Sequence, residues 1–155
     1  MCGICGLISR NPLTTDDSAA VDRVSASLIH RGPDGAGEHR SGQVHLAMRR
    51  LAIIDLTGGW QPLWNEDRTI ALVANGEVYN HVELRAGLES RGHRFRTGSD
   101  CETIVHAYEE WGMDFLQKLR GMYAIAIHDT RTQRVVLARD RMGEKPLYLH
   151  ETDGR

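Results

Sequence analysis

Cys2 is the residue whose type and position are best suited to chemistry in this chain. We expect Met1 to be removed because the residue after it is small, which leaves Cys2 with a free α-amine beside its thiol. A thiol ionises near pH ~8.5 and an α-amine near pH ~7.7–8.0, so the amine can accept the thiol proton and later pass it to a leaving amine. One residue would then supply both nucleophile and base. On these residues alone, the alternative is an ordinary buried cysteine that follows a start codon.

The Asn75-Gly76 pair is a second candidate for catalysis. An Asn-Gly pair is usually the turn of a β-hairpin. This pair follows a predicted strand and precedes a predicted helix, which argues against a hairpin. A glycine N–H beside an asparagine amide offers two donors suited to an oxyanion.

Arg50 and Asp100 could together hold an amino acid. A guanidinium binds a carboxylate through two parallel hydrogen bonds. Asp100 stands in the first turn of a predicted helix, where the helix dipole favours an ionised carboxylate. The alternative is that Asp100 only stabilises the helix, as acidic residues in a first turn commonly do. One fixed cation and one fixed anion match an α-carboxylate and an α-ammonium, so the reacting group would be a carbonyl on the substrate's side chain.

The three cysteines predict no metal site. Cys2 and Cys5 form a C-x-x-C pattern, but on a strand residues three apart point to opposite faces. No second C-x-x-C exists and Cys101 stands far away, unlike the four-ligand pattern of structural zinc.

Composition predicts a single domain over residues 1–155, because this length supports one core. A net charge of −2 creates no positive field that would attract nucleic acid or an anionic membrane surface, so neither is expected as a partner. The chain has no apolar run long enough to span a membrane and no basic-then-apolar signal pattern. Three cysteines cannot all pair, so we expect a reducing cytoplasm.

Apolar alternation and periodicity predict the elements that would position these groups. Strands are predicted over residues 2–9, 45–55, 69–74, 94–97, 121–129, 133–140 and 147–150. Helices are predicted after caps at Asp16 or Asp17, at Asn80 and at Ser99, with a shorter helical piece at Phe115 to Leu119. The first helix would bury Ala20, Val24 and Leu28. Residues 30–37, rich in glycine and containing Pro33, are predicted to be a loop.

Strands that are apolar on both sides, together with helices that have one apolar stripe, predict two stacked sheets with helices outside. Arg49 and Arg50 lie on opposite faces of their strand, so one should face inward with a partner. The strand over 147–150 ends at a turn over 153–155 with no returning partner. Either that edge is exposed or the chain continues in a longer protein.

Several motifs in order resemble the glutaminase domain of glutamine-hydrolysing asparagine synthetases, a class II glutamine amidotransferase domain of the N-terminal-nucleophile hydrolase fold. They are Cys2-Gly3-Ile4, His30-Arg31-Gly32-Pro33-Asp34-Gly35, Arg50-Leu51-Ala52-Ile53-Ile54-Asp55, Gly59-Trp60-Gln61-Pro62, Asn75-Gly76-Glu77-Val78-Tyr79-Asn80, Ser99-Asp100-Cys101-Glu102, Ala138-Arg139-Asp140-Arg141 and Lys145-Pro146-Leu147-Tyr148. The resemblance covers nearly the whole chain and implies an α+β fold, a four-layer αββα sandwich.

The resemblance also implies L-glutamine as substrate and assigns roles to residues. Cys2 is the nucleophile and its amine the base, while Asn75 and Gly76 hold the oxyanion. The implied substrate-binding residues are Arg50 with the backbone of Leu51, Ala52, Ile53 and Ile54 for the α-carboxylate, and Glu77 and Asp100 for the α-amino end. The thiolate attacks the side-chain amide, ammonia leaves, and water hydrolyses the thioester to glutamate.

In that family, ammonia passes to a synthetase domain that uses ATP and magnesium to make asparagine from aspartate. That domain is absent here, and no G-x-x-x-x-G-K loop is present, so the resemblance implies no cofactor in this segment. The family's domain also continues beyond Lys-Pro-Leu-Tyr, and the resemblance allows a homodimer. Two alternatives stay open: the same chemistry feeding another acceptor, such as a natural-product or sugar carboxylate, or a non-catalytic docking domain of the same fold.

Overall fold

A computed structural model describes residues 2–152, so the expected removal of Met1 and the turn expected at 153–155 lie outside the described residues. The elements in chain order are β1 (Gly3–Ile8), α1 (Thr15–Ser27), β2 (Gly35–Ser41), β3 (Val44–Arg50), β4 (Leu63–Trp64), β5 (Ile70–Val78), α2 (His81–Glu89), α3 (Glu102–Trp111), a 3₁₀ turn (Gly112–Asp114), α4 (Phe115–Lys118), β6 (Gly121–Asp129) and β7 (Arg134–Arg139). Among the described residues, no helix is both long and apolar enough to cross a bilayer.

The strands form two antiparallel sheets, as predicted. The smaller sheet has the order β1-β3-β2 and the larger has the order β4-β5-β6-β7. Helix α1 packs on β1 and β3, whereas α3 packs on β4 and β5 and also contacts α2. The layers are therefore helix, sheet, sheet and helices, which confirms the predicted αββα sandwich.

Two apolar cores hold these layers together. Between the sheets, Leu46 and Met48 of β3 pack with Val73 of β5 and Ala126 of β6. The other face of the larger sheet packs against α2, α3 and α4 in the larger core. Strands β5 and β6 are consequently buried on both faces, which explains their continuous apolar runs.

Strand β2 was not predicted, because its glycines suggested a loop. Gly35–Ser41 pairs along its whole length with β3. At Gly37 the backbone comes so close to the Gln61 carbonyl that a Cβ would clash with it. The glycine is therefore required by close packing in a strand rather than by a turn.

The cap and the buried face predicted for α1 were wrong. The N-cap is Thr14, whose side chain accepts a hydrogen bond from the Asp17 N–H, and the Asp17 carboxylate accepts one from the Thr14 N–H in return. The face that packs on β1 and β3 is also shifted by about one residue from the predicted apolar stripe. Val21 is buried, whereas Val24 is 49% exposed.

The helices α2 and α3 begin close to the predicted sites, but neither has the predicted side-chain cap. The Asn80 side chain instead bonds the backbone of Lys118 and Arg120. Residues 94–97 form no strand. The Glu102 carboxylate accepts the N–H groups of Arg96 and Thr97, so these donors are satisfied without a neighbouring strand.

Two strand boundaries differ from the prediction, and one further predicted strand does not form. Strand β3 ends at Arg50, and residues 51–54 are irregular; strand β5 continues through Asn75 and Gly76 to Val78. Residues 147–150 form no strand, and Tyr148 and Leu149 are 89% and 68% exposed. A strand needs a partner for its backbone groups, and the described residues provide none here. The hairpin of β6 and β7 forms as predicted.

Candidate active site

One cavity brings together nearly all the residues singled out from the sequence. It lies where β1, β3 and β5 meet the loops that follow β3 and β7 and the turn that precedes α3. Its walls are formed by Cys2, Arg50, Leu51, Ile53, Ile54, Gly59, Gln61, Ala74, Asn75, Gly76, Glu77, Ser99, Asp100, Cys101, Met122 and Lys145. Of the ten candidate residues, only Ala52 is outside this wall; its N–H donates to the Asp34 carboxylate, 2.8 Å away.

The Cys2 thiol lies in the cavity wall against the backbone of Leu51. The Leu51 N–H donates to Cys2 Sγ over 3.4 Å, and Sγ lies 3.7 Å from the Leu51 carbonyl. The half-buried Cys2 stands immediately before β1, whose pairing with β3 brings it beside the end of β3. The sulfur is thus held in place while still facing the cavity.

The other two cysteines are poorer nucleophiles. Burial beneath α1 raises the pKa of Cys5 to about 11, and its thiol donates to the Val21 carbonyl. Burial also raises the pKa of Cys101, and the nearby carboxylate of Asp100 adds to the shift. Neither thiol would be ionised to a useful extent near neutral pH. Cys2 is therefore the thiol best placed to react in this cavity.

Arg50 is the inward-facing arginine of the predicted pair. It is only 4% exposed, whereas Arg49 is half-buried and donates to the Ser25 carbonyl on the other side of the sheet. Arg50 Nη2 donates to the Asp55 carbonyl, and its guanidinium lies 4.9 Å from the centre of the Trp60 ring. Its Nη1 is buried and has no hydrogen-bond partner among residues 2–152. A buried donor without a partner in a cavity wall is suited to an anionic ligand.

Asn75 and Gly76 are neighbouring residues of β5, opposite Ala124 and Tyr123 of β6. At Gly76 a Cβ would clash with the Met122 carbonyl and with Tyr123. Only glycine therefore lets the backbone of β5 approach β6 this closely beside the cavity.

Asp100 connects the turn before α3 to the end of β5. Its Oδ2 accepts the Val78 N–H at 2.6 Å, and the side chain is only 4% exposed. Asp100 and Glu77 both line the cavity, where Arg50 is also found. The site therefore contains both signs of charge, as the sequence predicted.

Gln61 supports the site and was not predicted to belong to it. Its amide makes two hydrogen bonds to the backbone of Ala74: Nε2 donates to the carbonyl at 3.1 Å and Oε1 accepts the N–H at 2.6 Å. This pairing holds the residue that precedes Asn75. The sequence signal was the Gly59-Trp60-Gln61-Pro62 motif, which does not reveal the partner of Gln61.

Lys145 is a further cavity residue to which the sequence assigned no role. It is 4% exposed, and its Nζ lies 2.7 Å from Met122 Sδ. Asp140 holds its loop by accepting the N–H groups of Tyr123, Glu144 and Lys145. Burial works against ionisation of Asp140, but these backbone hydrogen bonds outweigh it and lower the pKa of the carboxyl.

Comparison with known proteins identifies the family of this chain. A family model described as a glutamine amidotransferase domain matches residues 1–155. The chain belongs to the glutamine amidotransferase domain family. Its relatives in that family include asparagine synthetase [glutamine-hydrolyzing] 3 of Arabidopsis thaliana, 48% identical over 149 residues, and the asparagine synthetase of Sandersonia aurantiaca, 49% identical over 153 residues. These matches cover 96% of this chain but only 25% and 28% of the relatives, so the chain spans about a quarter of their length.

Two solved structures have a similar fold. This amidotransferase domain matches the glutamine phosphoribosylpyrophosphate amidotransferase from B. subtilis with a TM-score of 0.71 and 23% identity, over 90% of this chain and 37% of that one. A structure described as the allosteric regulatory enzyme of purine biosynthesis matches with a TM-score of 0.67 and 22% identity, over the same shares. At this identity the similarity concerns the fold alone.

Proposed function

We propose that this domain hydrolyses L-glutamine to glutamate and ammonia, with Cys2 as nucleophile. The observation that carries the proposal is the composition of the cavity. A thiol, an unpaired guanidinium nitrogen and two carboxylates line the same space, at the positions of Cys2, Arg50, Asp100 and Glu77. These groups complement both ends of an amino acid whose side chain carries a carbonyl.

Substrate binding follows from the charges. Arg50 Nη1 would bind the α-carboxylate, assisted by backbone groups of residues 51–54. The carboxylates of Asp100 and Glu77 would bind the α-ammonium. The side-chain amide of glutamine would then extend towards Cys2.

The reaction proceeds in two stages. After removal of Met1, the free α-amine of Cys2 takes the thiol proton, and Sγ attacks the amide carbon, whose oxygen becomes an oxyanion between Asn75 and Gly76. The amine returns the proton to the leaving nitrogen, the C–N bond breaks and ammonia departs. Water then attacks the γ-glutamyl thioester, releasing glutamate and restoring the thiol.

We further propose that the ammonia serves asparagine synthesis from aspartate in a synthetase domain of the same protein. The names of relatives that are close to half identical over nearly the whole of this chain support this assignment. ATP and magnesium would be needed in that domain. A cytoplasmic location is part of the proposal, supported by three cysteines that are all free thiols.

The decisive experiment measures glutamate release from glutamine by the full-length protein, by Cys2→Ala and by Cys5→Ala. Cys5 is the matched control because it is half-buried outside the cavity. We expect Cys2→Ala to abolish release and Cys5→Ala to retain it. Equal release by the wild type and Cys2→Ala would overturn the proposal, and no release by the wild type would favour a docking domain.

Intact-mass spectrometry of the same samples tests the proposed base. We expect the mass of a chain without Met1. A chain that retains Met1 and still hydrolyses glutamine would rule out the Cys2 amine as the base, since that nitrogen would be part of a peptide bond.

A further inference from the structure

Four side chains outside the cavity form a compact group that the proposed glutaminase does not use. This His–Glu cluster consists of Glu66 in the β4–β5 loop, His93 after α2, and His106 and Glu109 on α3. One nitrogen or oxygen from each side chain lies within 4.8 Å of one from every other. His106 is fully buried, and the side chains of the others are between 10% and 33% exposed.

The ring nitrogens of both histidines face the same carboxylate. His93 Nδ1 lies 3.3 Å from Glu66 Oε1, and His106 Nδ1 lies 3.4 Å from Glu66 Oε2. Glu109 Oε2 lies 4.0 Å from His93 Nδ1. Four ligands about 2.0–2.1 Å from a tetrahedral zinc ion would be separated from one another by roughly 3.3–3.4 Å. The contact between His106 Nδ1 and Glu66 Oε2 has this separation.

Two of these atoms make no hydrogen bond to any residue that the structure describes. They are the buried His106 Nδ1 and Glu109 Oε2. Leaving a buried polar atom without a partner is destabilising, so two such atoms in one small group require an explanation. A metal ion between them would satisfy both.

The remaining oxygens of the two carboxylates are held by other groups. Glu66 Oε1 accepts the Arg94 N–H at 2.7 Å. Glu109 Oε1 accepts the Asn65 amide at 2.9 Å and Arg131 Nη1 at 3.1 Å. Each carboxylate is thus oriented through one oxygen, which directs Glu109 Oε2 into the cluster.

The outer nitrogens of the histidines also face carboxylates. His93 Nε2 lies 3.2 Å from Glu110 Oε2, and His106 Nε2 lies 3.7 Å from Glu102 Oε1. Histidine ligands of metals typically have such a carboxylate behind the ring, where it fixes the tautomer and strengthens the ligand.

A shared proton is the main alternative to a metal. A protonated imidazole is a donor at both nitrogens, and its bonds to carboxylates typically measure 2.7–2.9 Å. Neither nitrogen of His106 makes a hydrogen bond within the described part of the chain, and their distances to carboxylates are 3.4 and 3.7 Å. These separations suit ligands around an ion better than ion pairs in direct contact.

We propose that the His–Glu cluster is a structural binding site for a divalent transition-metal ion, with zinc as the best match. Two imidazole nitrogens and two carboxylate oxygens suit zinc, whereas calcium and magnesium prefer oxygen ligands alone. The sequence analysis predicted no metal site, because it considered only the cysteines. The site is independent of the proposed glutaminase reaction.

A bound ion would connect three segments of the chain. It would tie the β4–β5 loop and α3 to the irregular segment that starts at His93 and continues to Ser99 and Asp100 in the cavity wall. Its expected effect is on stability, since none of the four ligands lines the cavity.

The test compares zinc uptake by full-length variants, all carrying Cys2→Ala so that the cavity thiol cannot bind the ion. The parent, His106→Gln and His30→Gln are treated with a chelator, dialysed against zinc and analysed for metal content. His30 is the matched control because it is exposed and far from the cluster in the fold. We expect His106→Gln to bind one zinc ion fewer per chain than the parent and His30→Gln. Zinc should raise the Tm of the parent and of His30→Gln but not that of His106→Gln.

A second variant guards against a folding defect at the fully buried His106. Glu109→Gln retains the size of a partly exposed side chain and should also lose the zinc and the rise in Tm. Cobalt bound to the parent should give the visible absorption of a tetrahedral complex. Equal zinc content and equal Tm shifts in all variants, or no uptake by any, would overturn the proposal and leave the cluster as a set of ion pairs.

Discussion

Asp100 Oδ2 accepts the backbone N–H of Val78 at 2.6 Å, so a residue proposed to bind substrate also anchors the end of β5. This strand carries Asn75 and Gly76. The hydrogen bond needs only an acceptor oxygen, whereas binding of an α-ammonium needs the negative charge. The two roles of Asp100 can therefore be separated by substitution.

Asp100→Asn should impair glutamine hydrolysis without unfolding the protein. Its amide oxygen can still accept the Val78 N–H, but the charge is lost. A charge-assisted hydrogen bond is worth about 1.5–3 kcal/mol, so we expect roughly a 10- to 100-fold fall in kcat/KM. Steady-state kinetics and the Tm measure the two effects; an unchanged kcat/KM would show that Asp100 has only the structural role.

Arg50→Lys should raise the KM for glutamine roughly tenfold, with a smaller effect on kcat. Lysine keeps the charge but cannot present two parallel donors, and it loses the planar contact with Trp60. Arg49→Lys is the matched control, since Arg49 bonds the Ser25 carbonyl outside the cavity. Equal changes in KM for the two variants would contradict binding of the carboxylate by Arg50.

Gln61→Ala should lower both stability and turnover. The change leaves the N–H and carbonyl of Ala74 without their present partners, at a cost of about 1–3 kcal/mol in the free energy of unfolding. Because Asn75 follows directly, kcat should also fall. Urea unfolding and kinetics test this, with the exposed Gln117→Ala as control; a variant as stable as the control would mean that the amide contributes little.

Stability should fall in mildly acidic solution because of a buried histidine pair. His39 Nε2 and His128 Nδ1 lie 2.8 Å apart, and burial, with a smaller effect of His128, lowers the pKa of His39 from 6.5 to about 4. Between these values the unfolded chain binds a proton that the folded chain does not. This contribution is therefore complete above about pH 6.5 and is lost as the pH falls towards about 4.

The measurement for this prediction is Tm against pH for the wild type and His39→Gln. Glutamine can still donate to His128 but does not titrate in this range. We expect a shallower loss of Tm on acidification in the variant. Parallel curves would assign the acid sensitivity to other groups.

Side-chain direction along single elements was predictable from the sequence. The twofold period of a strand placed Arg49 and Arg50 on opposite faces, and the structure buries one of them in the cavity wall. The same rule predicted that Cys2 and Cys5 point to opposite faces of their strand. Apolar runs in the strands predicted two stacked sheets with helices outside. Asn75 and Gly76 are neighbours in the sequence, so their presence in one site was predictable, and both line the cavity. Their role in holding an oxyanion stays a prediction.

Contacts between segments were decided only by the tertiary structure. Gln61 pairs with Ala74, Glu102 caps the backbone of Arg96 and Thr97, and β2 pairs with β3 despite its glycines. The His–Glu cluster joins α3 to two distant segments, and only His106 and Glu109 have a spacing that places them on one helical face. Local sequence determines which way a side chain points from its own element, but which partner it meets depends on how the layers pack.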